Sequence, residues 1–127
     1  MRPQEKINFD KEYVEPILSG KKKTTIRKGI KSYPVGRVVY LLADNKPFAK
    51  AVVKKVVVKR VYELTEDDAK IDGFDSVNNL LEALKKIYGS INENEFVSIV
   101  YFEIIDKLVE SVNEIENIQN NLNTEQF

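Results

Sequence analysis

Residues 48–62 read FAKAVVKKVVVKRVY, with eight valine or alanine positions set among five cations. Valine is stiff at χ1 and fits a pleated surface better than a helix, while lysines between the valines keep part of that surface wet. The run therefore predicts one long bent strand, or two strands joined at a bulge. A strand of this length needs neighbours, and the flanking sequence offers them. Residues 37–43, RVVYLLA, read as a buried strand between the turn residues Tyr33-Pro34-Val35-Gly36 and Asp44-Asn45-Lys46-Pro47. Residues 96–105, FVSIVYFEII, read as a core strand, and Thr24 to Lys28 alternates as a shorter one.

Helices interrupt the strands. Residues 10–20 predict a short helix with Asp10 as cap, Tyr13, Ile17 and Leu18 on one face and Gly20 at the end, although Pro16 requires a late start. Thr65 caps a second helix with carboxylates in its first turn, and Asp72-Gly73-Phe74-Asp75 breaks it. Ser76 opens a third, where Val77, Leu80, Leu81, Leu84 and Ile87 keep the helical period until Gly89. From Asp106 onward Leu108, Val112, Ile115, Ile118 and Leu122 recur every three or four residues and predict a C-terminal helix. It either folds back on the body of the protein or pairs with a second copy, since Leu108, Ile115 and Leu122 are spaced by sevens. Residues 123–127 are expected to fray. There is no internal repeat. The pattern predicts an α+β fold, a small β-barrel with covering helices over 1–106 and a helical extension over 107–127.

The chain has 127 residues, no cysteine and no histidine. Disulfides and thiolate metal sites are excluded, and no metal or cofactor is expected. Proton transfer must fall to Lys, Asp, Glu, Tyr or water. No apolar run approaches the roughly 20 residues that span a bilayer, and the start, MRPQEKINFDKEY, lacks the apolar core of a signal peptide. A cytoplasmic protein with no membrane partner is expected. The net charge of zero conceals a division: residues 1–60 hold 16 Lys and Arg against 5 Asp and Glu, and residues 61–127 hold 4 against 15. Such halves either attract each other or build a basic face for an anionic ligand such as RNA or a nucleotide.

The densest cationic segment is residues 20–29, GKKKTTIRKG. Gly20 frees a turn, and the following strand alternates its faces, with Ile26 inward and Lys23, Thr25 and Arg27 opposite. Lys22 sits where turn becomes strand. The Arg27 guanidinium is suited to hold a phosphate or a base carbonyl through paired donors.

Residues 17–27, ILSGKKKTTIR, together with residues 68–76, DAKIDGFDS, resemble the ASCH domain of the PUA-like β-barrel superfamily. The family's early pattern falls on Gly20, Lys22, Thr25 and Arg27, and a later one on Ala69, Asp72, Gly73, Phe74 and Tyr88. The resemblance covers about residues 6–106. It implies a barrel whose cleft binds RNA or a nucleotide. One branch of the family comprises amidohydrolases that deacetylate N4-acetylcytidine with a lysine, a threonine and a carboxylate, which fall here on Lys22, Thr25 and Asp72. That branch typically carries glutamate in place of Asp72, one methylene longer. Tyr33 and Phe74 are candidates for stacking on a base, with packing favoured for Phe74, and Glu103 is a candidate for lining the cleft. A protein-interaction domain without activity is a third reading.

Overall fold

The computed structural model describes residues 5–115. Its five strands are β1 (Lys6–Phe9), β2 (Thr24–Lys28), β3 (Val38–Ala43), β4 (Lys46–Arg60) and β5 (Phe96–Lys107). They form one sheet in the order β1-β3-β4-β5-β2. The valine–lysine run is thus a single strand, β4, with β3 and β5 antiparallel on its two sides. Register shifts against β5 at Lys50/Ala51 and Val53/Lys55, and at Leu41/Leu42 against β3, bend the sheet into a curled half-barrel. Asp44 and Asn45 make the β3–β4 turn with φ of 50° and 62°, a conformation these two residue types tolerate. β4 begins at Lys46, before the expected start, and ends at Arg60, where residues 61–63 turn away.

Strand β1 carries little sequence signal because it is only four residues long. Ile7 and Phe9 are buried while Lys6 and Asn8 alternate outward, and the strand pairs in parallel with β3. β2 pairs antiparallel with β5. The sheet therefore ends in β1 and β2, and one side chain spans the seam between them: Arg27 Nη2 donates to the Asn8 carbonyl at 2.7 Å.

Two apolar layers hold the molecule together. Inside the curl, Ile7, Phe9, Val39, Leu41, Phe48, Val53 and Phe102 pack into one core. On the other face, Ile26, Val97 and Ile99 are covered by Ala69, Leu80 and Leu84 from α2 (Glu66–Ile71) and α3 (Val77–Tyr88). Thr65 caps α2 reciprocally: Asp68 N–H donates to its hydroxyl, and its own N–H donates to the Asp68 carboxylate. Ser76 caps α3 by accepting from Asn79 N–H. The first helix, α1 (Val14–Leu18), does start late, after a 3-10 turn at Lys11–Tyr13. Pro16 then falls in the first turn, where a missing N–H breaks no helical bond. The Asp10 side chain makes no cap hydrogen bond, and its carbonyl accepts from Tyr13 N–H instead.

The chain's end differs from expectation. β5 runs through Lys107, so Leu108 follows a strand and lies outside any helix, half exposed. A helical turn starts only at Val112, whose N–H donates to the Glu15 carboxylate at 2.9 Å. Val109 and Ile115 enter the inner core of the same chain. Ile118 and Leu122 lie outside the described residues. No helix among the described residues is long and apolar enough to cross a membrane.

Ile115 is 1% exposed, so its truncation leaves a cavity in the inner core. Ile115→Ala is expected to lower unfolding free energy in urea by about 2–5 kcal/mol. A cost below about 0.5 kcal/mol, the level of an ordinary surface change, would show that the segment contributes no packing.

Candidate functional site

The cationic segment and the residues after α2 are far apart in sequence and stapled together by main chain. Lys22 N–H donates to the Pro16 carbonyl and Lys23 N–H to the Ile71 carbonyl, both at 2.9 Å. The turn leaving α1 is thereby laid against the end of α2, where Asp72 is the C-terminal cap. Gly73 follows with φ of +92°, in the left-handed region, and a Cβ there would come within 3.2 Å of Lys22 Cβ. Glycine meets both demands at once: the chain reverses, and the lysine stem passes close behind it.

Lys22 Nζ lies 3.0 Å from Asp72 Oδ1 and also donates to the Asp72 carbonyl at 3.0 Å. Thr24 Oγ1 donates to the same carboxylate oxygen at 2.8 Å. Lys22 and Asp72 are 4% and 3% exposed. Burial pushes the Lys22 amine below the ordinary lysine range, and the Asp72 charge and hydrogen bond recover part of that shift. Burial likewise pushes the Asp72 carboxyl up, against the pull of Lys22, Thr24 and the Arg27 charge. Two aromatic rings flank the amine, with Tyr13 centred 5.0 Å and Phe74 5.6 Å from Nζ. The rings meet edge to face at 6.4 Å. Burial, with the nearby Glu12, Asp10 and Asp72 charges, raises the Tyr13 hydroxyl to about 12, so it stays protonated at neutral pH.

Lys22, Asp72, Tyr13 and Phe74 border a cavity of about 180 Å³ between the β1–β2 seam and α3. Of the residues singled out in the sequence, Lys22, Thr25, Arg27, Asp72 and Phe74 line it together. Gly20, Lys23 and Glu103 line a separate hollow on the other side of the α1–β2 turn. Lys23 is exposed, although Lys22 and Thr24 on either side of it are buried. Glu103 is exposed and paired with Lys54 at 3.5 Å. Tyr33 is buried in the inner core, so its ring packs there and does not border the cavity.

Arg27 is placed as expected but employed differently. Its Nε donates to Thr25 Oγ1 at 3.0 Å, its Nη2 reaches Asn8, and its guanidinium lies 5.2 Å from the centre of the Phe9 ring. The fork expected to grip a phosphate clamps the seam and orients Thr25. Sequence reasoning missed Thr24 and Tyr13. For Thr24 a signal existed, since alternation puts neighbouring threonines on opposite faces and only one of them can meet the Asp72 carboxylate. Tyr13 had only its place in the first helix.

The charge division is partly spent inside the molecule. Lys22–Asp72, Lys28–Glu95, Lys54–Glu103 and Lys59–Asp68 each join a cation of the first half to a carboxylate of the second. Burial works against the Asp68 charge, yet Lys59 at 2.6 Å and the Thr65 bonds hold its carboxyl below the ordinary range. Among the described residues no three carboxylates gather to hold a metal ion.

A family model described as the ASCH domain matches residues 3–106. No curated protein matches the sequence significantly. Similar solved structures include an ASCH domain from Lactobacillus crispatus JV V101, with TM-score 0.65 and 18% identity, covering 72% of this chain and 69% of that one. A protein from Enterococcus faecalis V583 aligns with TM-score 0.67 and 16% identity over 87% of this chain and 85% of its own. A mutant ASCH protein from Zymomonas mobilis aligns with TM-score 0.63 and 15% identity over 94% and 83%. At these identities the likeness is one of fold.

Lys22→Met removes the amine and leaves the Asp72 carboxylate buried without its cation. A loss of about 3–5 kcal/mol is expected near neutral pH. The folded Asp72 carboxyl already lies above its unfolded value, so stability contributed by its protonated form is present at low pH and lost as pH rises. The deficit of the variant should therefore shrink as pH falls from neutrality into the acid range, where the stranded carboxylate takes up a proton. Urea denaturation of both proteins across this range measures it, and a deficit independent of pH would refute the buried pair.

Proposed function

This chain belongs to the ASCH domain family, and we propose that it binds RNA or a nucleotide by seating one base over Lys22 and Asp72. The observation that carries this reading is the buried ion pair flanked by two rings at the wall of a small cavity. At about 180 Å³ the cavity is smaller than the roughly 300–1,000 Å³ of sites that enclose drug-sized ligands. It suits the base of a larger molecule whose sugar and phosphate stay outside. A lysine donor and a carboxylate acceptor meet the polar edge of a base, and the Tyr13 and Phe74 rings offer apolar surface to its faces. Charges are buried here at a cost to stability, as is common where a ligand must be recognised. Exposed Lys21 and Lys23, on either side of Lys22 in the chain, supply positive potential for phosphate.

A second reading, hydrolysis of an acylated cytosine, is favoured by one observation: Thr25 borders the same cavity as an amine whose pKa is lowered. In that reaction neutral Lys22 takes the Thr25 hydroxyl proton as Oγ attacks the acetyl carbon of N4-acetylcytidine. The N4–carbonyl bond breaks, the proton passes to the leaving amine, and water hydrolyses the threonyl ester to acetate. The carboxylate sets the lysine from below, and its hydroxyl partner is Thr24, which leaves the Thr25 proton free for transfer.

Titration with cytidine monophosphate and with a labelled single-stranded RNA tests the binding reading. Both should bind, RNA should weaken steeply as salt rises, and Thr25→Val should weaken binding less than Lys22→Met. Absence of binding at low salt, or RNA affinity indifferent to salt, would overturn it. Acetate release from N4-acetylcytidine tests the second reading. Thr25→Ala should abolish release while leaving cytidine binding within about threefold, a change under 1 kcal/mol. Binding of N4-acetylcytidine without turnover by the unaltered protein would leave the binding module alone.

A further inference from the structure

Strand β2 is the last of the sheet, so only one of its two edges is used in pairing. Gly29 N–H donates to the Phe96 carbonyl at 2.7 Å, and the Lys23 carbonyl accepts from Phe102 N–H at 3.2 Å. In an antiparallel ladder the residues that face the partner recur every second position. Lys23, Thr25, Arg27 and Gly29 therefore turn their peptide groups toward β5, and Thr24, Ile26 and Lys28 turn theirs to the open edge. Lys28 bears this out, since its N–H donates to the Tyr88 hydroxyl of α3 at 3.1 Å. Between that closed end and the stapled start of the strand, Ile26 directs an N–H and a C=O outward, side by side. Ile26 also borders the cavity, which lies against this edge, with Asn8 and Phe9 of β1 across the seam and α3 alongside.

We infer that the main chain of Ile26 is a specificity-determining element, reading the hydrogen-bonding edge of a planar heterocycle held in the cavity. The inference rests on the seating of a base proposed above and names how that base is oriented. One donor beside one acceptor matches a base edge that carries a ring nitrogen next to an exocyclic amine or carbonyl. An extended peptide uses the same groups when it adds a strand, but it needs a longer run of open edge. Here Tyr88 closes the edge at Lys28 and the Arg27–Asn8 bridge spans the seam, so the opening admits a short planar group. Because the reader is backbone, exchanging the Ile26 side chain for valine leaves it in place.

The full chain, labelled with ¹⁵N, is titrated with cytidine monophosphate while the amides of Ile26, Thr25 and Lys28 are followed by NMR and hydrogen exchange. The Ile26 amide is expected to shift downfield and to exchange about tenfold more slowly when saturated, with Lys28 protected in both states. Replacing Ile26 by its α-hydroxy acid, an ester that keeps the side chain and deletes the N–H, should weaken binding about tenfold. If Thr25 and the Lys22 side chain respond to cytidine monophosphate while Ile26 does not, and the ester variant binds equally well, this inference falls and the seated base stands. If nothing responds, the seated base falls and the inference with it.

Discussion

An ammonium and a carboxylate 3.0 Å apart, both almost fully buried, are an expensive arrangement for any protein to hold. Each ion loses several kcal/mol of hydration on leaving water, and mutual attraction rarely returns all of it. The surroundings supply the rest: the Asp72 carbonyl accepts from Lys22, and the Thr24 hydroxyl donates to the carboxylate. That stabilisation requires the α1–β2 turn and the end of α2 to stay in register, which the Lys22–Pro16 and Lys23–Ile71 main-chain bonds enforce. Gly73 permits the approach, since any larger residue would press on the lysine stem from a backbone conformation that side chains avoid. Local structure in three segments thus serves one contact.

The half-barrel explains why that contact opens onto a cavity. A fully closed barrel would have paired β1 with β2 and used the edge of β2 for hydrogen bonds. Here β2 is tied to β5 on one side only, and Arg27 crosses to Asn8 where a strand pairing would have been. A side-chain bridge leaves gaps that a ladder does not. The cavity occupies that gap, with α3 as its other wall. Arg27 therefore links two scales: it holds the two ends of the sheet together and fixes the Thr25 hydroxyl at the cavity wall.

Much of this was legible in residues with strong local preferences. The valine-rich run gave β4, Thr65 and Ser76 marked helix starts, and Asp44-Asn45 marked a hairpin turn, because each rests on local backbone chemistry. The resemblance of two separated motifs brought Lys22, Thr25, Asp72 and Phe74 to one place. What escaped was set by long-range geometry. Residues 6–9 are too short to show a period, and their strand exists because β3 offers a partner. Tyr33 looked like a stacking residue, but the inner core claimed its ring. The strand position of Glu103 makes it a candidate for the cleft, but its side chain is exposed and pairs with Lys54. The sevens that hinted at a paired helix fail at Leu108, because β5 continues to Lys107 before the chain bends back.

The opposed charges of the two halves also look different once the sheet order is known. Glu95 just before β5, Glu103 in β5 and Asp68 in α2, all from the acidic half, receive lysines of β2 and β4, so the division works partly as glue between segments far apart in sequence. Exposed pairs such as Lys54–Glu103 contribute little to stability, since solvent screens them. Their effect is to lower the positive potential that the first half would otherwise present. In the turn between α1 and β2, Lys21 and Lys23 stay exposed on either side of Lys22, whose own charge is met by the buried Asp72. In the proposed reading, recognition there rests on a few placed donors and acceptors more than on bulk charge. The proposed base would meet, in one small cavity, a lysine, a carboxylate, hydroxyls and an open strand edge, each placed for a different atom.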